Sequence, residues 1–472
     1  MEAGARLERL HALAAWLEAQ PGAKAASDLL ELVDCGALGF GFRAKCDIPQ
    51  GGVLCSVPVH LAWSALAARA SPTLGPLLQR CSGLRVDDLI ALHLMHERAR
   101  REASPRWPHL ASLPEQYDAT LFWTDDELAE LQGSPLAAQT HQLLAQTEAD
   151  YAELHAALLA PNAELFLPAA CSLTTYRWAL ATIWSRAMDL PDGDTGSLRV
   201  VTPWADMFNN DCSLPVCHAH ERTGNAVVAL AGRAYAAGEA VCITYGFTDA
   251  ASALRLHGFV PAAAPTKVPL YAEMAPEADL YDAKRRLLDA AGVLPGTPFT
   301  LTLEQPLPPS LLLALRVQRA SAPELAAAER DGLQPGARLS EENERAVLGA
   351  LGAGLEAMLE GYATSVEEDE AMLASADAAA LSNRRRGAVE LRLREKRVLL
   401  AAQAAVSGRL SALGGDDAED APPPSLEQAA AAAMASGTAP AAAAELAAYF
   451  ESLLAEGIAE GADSAGALDS LD

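Results

Sequence analysis

The chain has 472 residues, 51% of them apolar, with 35 Lys or Arg against 62 Asp or Glu and a formal charge of −27. That balance excludes a globally disordered chain, and it excludes non-specific nucleic-acid binding, which needs a basic surface facing phosphate. The length suggests two or three domains, and the acidity fits either steering of a basic protein partner or solubility alone.

In chain order, the first element is an amphipathic helix. Leu7, Leu10, Leu13, Trp16 and Leu17 share one face, and "QPG" at Gln20–Gly22 stops it. Its acids are unlike a signal or transit peptide, so a cytoplasmic protein is expected, with nucleus or plastid as alternatives. The stretch "GALGFGFRAKCDIPQGGVLCSVP", Gly36–Pro58, reads as strand, turn, strand, with turn chemistry at Pro49–Gly52. Its glycines Gly36, Gly39 and Gly41 suit either close backbone approach to a ligand or a bulged strand. No helix follows in a GxGxxG frame, so a dinucleotide fold fails on context.

Helical sequence comes next, at Val86–Arg100, Asp125–Leu136 and Ser172–Met188, with Ser172 as a plausible N-cap. A second β-rich unit, Asn225–Gly246, ends in "VCITYG". There Tyr245 stands at a strand end before Gly246, placed either to enter a cleft or to sit at a core edge. Beyond Pro261 the chain reads as helical almost throughout, including a long basic-faced helix at Arg384–Val406. After Arg409 there are twelve Asp or Glu and no Lys or Arg, in an Ala-rich, low-complexity tail.

Few motifs carry chemistry by themselves. The eight cysteines (35, 46, 55, 81, 171, 212, 217 and 242) form no dense framework, which points to a reduced protein. Cys212, Cys217, His218 and His220 lack the spacing of a zinc finger or ribbon, so no metal is expected. There is no G-x-S-x-G elbow, no P-loop, and no apolar run of roughly 18 residues to span a bilayer. The stretch "TPWADMFNNDCSLP" is unusual, because Asn209 and Asn210 fill neither a helix nor a strand interior well.

Taken together and in this order, the segments resemble a SET-domain methyltransferase of the Rubisco large-subunit lysine methyltransferase class. "LGFGFRAKCDIPQGGVLCSVP" is similar to the class's opening glycine motif, "YRWALATIWSRAM" to its inserted helix ending in Ser-Arg, "ADMFNNDC" to its "ADxxNH" segment, and "AGEAVCITYG" to its tyrosine motif. "NRRRGAVELRLREKRVLLAA" is similar to the last helix of its substrate-binding domain.

The resemblance implies an α+β SET fold (β-clip with a pseudoknot) carrying a helical insertion, followed by an all-α domain. The implied boundaries are a helix over 1–24, a SET domain over 25–262 with its insertion near 85–200, a helical substrate-binding domain over 263–410, and the tail over 411–472. It further implies methyl transfer from S-adenosylmethionine to lysine of a non-histone protein, by a monomer with no nucleic-acid or membrane partner. Leu38, Gly39, Phe40, Arg186, Asp206, Asn209, Asn210 and Phe259 would hold the cofactor. Tyr245 would also contact the cofactor and be catalytic, and with His257 it would line the acceptor channel.

Two positions depart from the pattern. Asn210 stands where the family has histidine, and His257 stands where it has an aromatic of the "YGF" type. One related branch methylates a histidine of actin, so histidine transfer is an alternative. A degenerate SET protein that only binds a partner is another.

Overall fold

A computed structural model of the chain describes residues 2–413, apart from 193–195, 248, 334–335, 337 and 376–380. The expected tail lies outside the described residues from 414 onward. The chain divides into two units. The first is Met1–Thr124, Thr140–Thr248 and Ser252–Ala264. The second is Asp125–Gln139, Asp249–Ala251 and the described residues from Pro265 on.

In the first unit the helix Glu2–Glu18 buries Leu10, Leu13 and Leu17 completely, at the three- and four-residue spacing of one helical face. Each such side chain contributes about 1.5–3 kcal/mol relative to remaining exposed. The strands are β1 (Leu30–Asp34), β2 (Phe40–Ala44), β3 (Val53–Pro58), β4 (Ala187–Asp192), β5 (Gly196–Val201), β6 (Asn209–Asn210), β7 (His218–Glu221), β8 (Ala226–Leu230) and β9 (Ala240–Ile243).

Two sheets join what the sequence separates. One has the order β1-β2-β9-β6, the other β3-β8-β7, and β4 pairs with β5 as a hairpin. The two β-rich stretches of sequence thus share both sheets, through Phe42↔Val241 in one and Val57↔Val227 in the other. The two-residue β6 runs parallel to β9, which sets Asn209 beside Cys242 and Asn210 beside Ile243.

The helix Val86–Arg100 carries Asp87 and Asp88 in its first turn and Arg98 and Arg100 in its last, in the sense that favours the helix dipole. It is buried along most of its length and packs in a core with Leu173–Arg186. The latter is capped as expected, the Ser172 hydroxyl accepting from the Thr175 N–H at 3.3 Å.

The second unit is helical, with one addition. β10 (Val268–Leu270) and β11 (Phe299–Leu301) form an antiparallel pair in a region that the sequence reads as helical almost throughout. Three-residue strands, one with Pro269 at its centre, carry too little alternation to be legible. The segment Asp125–Gln139, expected within the insertion, belongs to this unit. The long helix Asn383–Leu413 accounts for that: Arg384 pairs with Glu127, and Arg392 with both Glu130 and the buried Asp369.

Its basic face is therefore largely an ion-pair interface, with Lys396 also on Asp369 at 2.8 Å, and not a solvated stripe. Beside it, Glu395 is buried and accepts from Ser134 at 3.0 Å and Tyr362 at 3.1 Å. Burial pushes its carboxyl up to about 8.

Candidate active site

Arg186 ends its helix in the first unit and turns onto the "ADMFNN" segment. Its Nη1 donates to the Asp206 carbonyl at 2.9 Å and to Asp206 Oδ2 at 3.2 Å. Asp206 is buried, in the turn Ala205–Met207. His109 Nε2 meets the same Oδ2 at 3.1 Å, while the Trp63 indole N–H reaches His109 Nδ1 at 2.7 Å. With Nδ1 taken as an acceptor, Nε2 is the ring's donor. The chain Trp63–His109–Asp206–Arg186 is thus ordered in direction, and the guanidinium is the charge that balances the carboxylate. Burial would raise the Asp206 carboxyl, but the bonds from His109 and Arg186 hold it below the usual range.

Immediately before this turn, Trp204 has φ 74, a left-handed value that a tryptophan rarely adopts. Its indole donates to the Ala25 carbonyl at 2.9 Å, and its ring packs on Phe42 with centroids 4.8 Å apart. Strain of about 1–3 kcal/mol is held here by packing, and it aims Asp206 inward.

The two asparagines play different parts. Asn209 points its carboxamide at Gly41, where an added Cβ would overlap Nδ2. Of the three glycines singled out in the sequence, Gly41 is the one whose missing side chain makes that room. Asn210 uses its side chain locally. Its Oδ1 accepts the Tyr245 N–H at 2.9 Å, and its Nδ2 lies 3.1 Å from Cys212 Sγ. Asn210→Leu leaves that N–H unpaired and is expected to cost about 1–3 kcal/mol in thermal unfolding. Asn210→His, which keeps an acceptor at Nδ1, is expected to stay within about 1 kcal/mol of the native protein.

Tyr245 donates its hydroxyl to the Phe208 carbonyl at 2.7 Å. Its ring stacks on His257, centroids 5.1 Å apart and planes 24° apart. Phe247 stands edge-on to both, and Phe259 stands edge-on to Phe247 at 5.8 Å. Gly258, at φ +82, lets the chain pass the Asp118 backbone, where a Cβ would come within 2.5 Å of the carbonyl carbon. That passage sets Phe259 beside the other rings.

Arg186, Asp206, Asn209, Asn210 and Tyr245 are brought together, as are Tyr245, His257 and Phe259. Leu38 is 61% exposed, and Phe40 is packed in the core, so these two bring backbone and not side chains to the glycine turn. Missed in the sequence were Phe247, two residues beyond Tyr245, and His109, Trp63 and Arg6, whose spacing gave no signal. Arg6 lies over the Phe40 ring at 5.4 Å, close enough to Arg186 for the two charges to oppose each other. The Nε atoms of Arg6 and Arg186 and Asp206 Oδ1 are buried without a hydrogen-bond partner among the described residues. Among those residues no group of three His, Cys, Asp or Glu side chains is placed to share a metal ion.

The "Rubisco LSMT substrate-binding" family matches residues 275–399. The chain is 27% identical over 377 residues to the Rubisco large-subunit N-methyltransferase of Nicotiana tabacum, covering 76% of this chain and 74% of that protein. It is 28% identical to the fructose-bisphosphate aldolase-lysine N-methyltransferase of Arabidopsis thaliana, covering 76% of each. It is 29% identical to the actin-histidine N-methyltransferase of Homo sapiens, covering 78% of this chain and 64% of that one. The structure of Rubisco LSMT bound to AdoMet superposes with a TM-score of 0.73 at 26% identity, over 86% of this chain and 93% of that one. The LSMT SET domain bound to lysine and AdoHcy gives a TM-score of 0.76 at 24% identity. Fold, site and matches define a SET-domain protein with a helical substrate-binding domain. Within that class, residues 275–399 match the Rubisco LSMT substrate-binding family, and the chain is similar over most of its length to Rubisco large-subunit methyltransferases.

Proposed function

We propose that the chain transfers methyl groups to the side-chain nitrogen of lysine in a non-histone protein. The broader statement is that it is an S-adenosylmethionine-dependent protein methyltransferase. S-adenosylmethionine, when bound, supplies an electrophilic methyl group on a sulfonium.

The site fits that molecule. It carries a carboxylate, which suits the unpartnered Nε donors of Arg186 and Arg6, and an ammonium, which suits Asp206 Oδ1. Asn209, in the space left by Gly41, and the backbone of Gly39 and Phe40 would complete the cradle, with Phe259 among the rings beside it.

One observation carries the lysine reading. His257, stacked on Tyr245, is pushed down to about 3 by burial and then by the charge of Arg186. The surroundings of Tyr245 therefore penalise a cation. A lysine amine, with an ordinary pKa of about 10.4, must lose its proton before it can attack, and apolar rings beside Arg186 promote that loss. A histidine acceptor is already neutral near pH 7 and needs no such help. The Tyr245 oxygen, fixed by its donation to Phe208, retains acceptor capacity to orient the amine. The eight free thiols fit a reducing compartment, and we place the protein in the cytoplasm.

The test is incubation with labelled S-adenosylmethionine and a lysate, alongside Tyr245→Phe. The native chain is expected to label protein, and the variant to transfer at least about 100-fold more slowly while still binding the cofactor. No cofactor binding by the native chain would sink every enzyme reading, and binding without transfer would favour a binding module. Mass spectrometry of the labelled product decides between lysine and histidine.

A further inference from the structure

In the second unit, the end of the helix Asn383–Leu413 meets the start of the helix Glu341–Glu360, and arginines crowd around few acids there. Arg316 holds the buried Glu344 through two nitrogens, at 2.5 and 2.7 Å. Arg338, its side chain 54% exposed, approaches the same occupied carboxylate only to 4.0 Å. Arg345 pairs with Glu341 and also donates to the Leu413 carbonyl at 3.3 Å. Arg409 is exposed and has no hydrogen bond or ion pair among the described residues. Partial burial disfavours its cation; Glu344 opposes this, while Arg316 and Arg338 add to it. On the facing helix Glu341 is engaged by Arg345 and Glu344 by Arg316, so neither carboxylate belongs to Arg338 or Arg409 alone.

We propose that the acidic run of this same chain just past that helix, Asp416, Asp417, Glu419 and Asp420, docks on Arg338 and Arg409. The reach is short. Asp416 follows Leu413 by three residues, at most about 10 Å of extended chain. Arg409 precedes Leu413 by one helical turn, about 6 Å. Arg345 already touches the last described carbonyl. Charge complementarity is strong, since no Lys or Arg follows Arg409 anywhere in the sequence.

Each exposed pair is weak by itself. A tether this short, however, holds the acids at millimolar effective concentration, so several weak pairs suffice. The arginine group is then covered by the chain's own tail, and an acidic partner must displace it. The contact is independent of the methyl-transfer reading.

The experiment compares the full chain with a full chain bearing Asp416→Asn, Asp417→Asn, Glu419→Gln and Asp420→Asn. The probe is a fluorescein-labelled peptide of residues 414–424, followed by anisotropy at low salt. The neutralised chain is expected to bind the peptide at least about tenfold more tightly than the native chain. Adding Arg338→Glu and Arg409→Glu should abolish that binding, and added salt should weaken it. Both arginines are exposed, and Arg338→Gln with Arg409→Gln replaces the reversal if melting shows the latter misfolded. Equal binding by native and neutralised chains would mean that the arginines stand open to an acidic partner, which overturns the proposal. So would absence of binding to the neutralised chain. A native dimer that dissociates on neutralisation would move the contact between chains and overturn it as well.

Discussion

Arg186→Leu is expected to cost about 3–5 kcal/mol of stability at pH 8, and less as the pH falls. Asp206 is buried, and its other partner, His109, gives it one hydrogen bond from Nε2 because Nδ1 already receives the Trp63 N–H. Removing the guanidinium leaves a buried carboxylate without a balancing charge, while the leucine side chain fills part of the space.

The sign of the pH dependence follows from linkage. In the native protein the Asp206 carboxyl lies below its ordinary value, so its contribution is present above the unfolded pKa and is lost as pH falls through the folded one. In the variant, burial acts with one hydrogen bond against it, and the folded carboxyl rises. The variant then binds a proton on folding, so its stability is greater at low pH and is lost as pH rises. Urea unfolding of both proteins at pH 8 and pH 5 reads the difference. A gap that does not narrow at pH 5 would show that Arg186 is not the charge that Asp206 needs. On the proposed reading, in which the buried, unpartnered Arg186 Nε receives the cofactor's carboxylate, affinity for S-adenosylmethionine should fall at least about tenfold as well.

Gly41→Ala should reduce affinity for S-adenosylmethionine by about 100-fold, at a modest cost in stability of about 1–3 kcal/mol. The glycine sits in β2 with ordinary strand pairing, and a Cβ is excluded by the Asn209 carboxamide, not by its backbone dihedral. The added methyl must push Asn209 out of place or separate β2 from β6. These outcomes are separable by a double-mutant cycle measured by calorimetric titration with the cofactor. If the methyl acts through the carboxamide, Asn209→Ala with Gly41→Ala will bind no worse than Asn209→Ala alone. Additive losses would mean that the strands have moved and that Asn209 is not the residue Gly41 makes room for.

Much of the architecture was legible in the sequence for plain reasons. Helices such as Val86–Arg100 and Leu173–Arg186 are long enough for period and cap to show, and Ser172 caps as expected. The β10–β11 pair and the 125–139 segment were not legible. The first is too short to alternate, and the second owes its place to ion pairs with a helix some 250 residues away, which local pattern does not encode.

The site divides along the same line. Asn209, Arg186 and Tyr245 stood out because each is a polar or aromatic residue in a motif with company. Trp63 and His109, which order Asp206, are single residues on elements that look like ordinary core. Arg6 looked like a surface charge on an amphipathic helix.

By itself the sequence determined the order of the elements, the class of chemistry and the acidity of the tail, because periodicity, motif order and charge are local and additive. Only the tertiary structure decided that Asn210 serves the Tyr245 backbone through its side chain while Asn209 is the residue turned to Gly41. It also decided that the basic face of the last long helix is consumed by ion pairs, while Arg338 and Arg409 are left over. Those assignments depend on which strands pair and which side chains are buried together. Such contacts arise between residues far apart in the chain, and a sequence read from one end to the other does not bring them side by side.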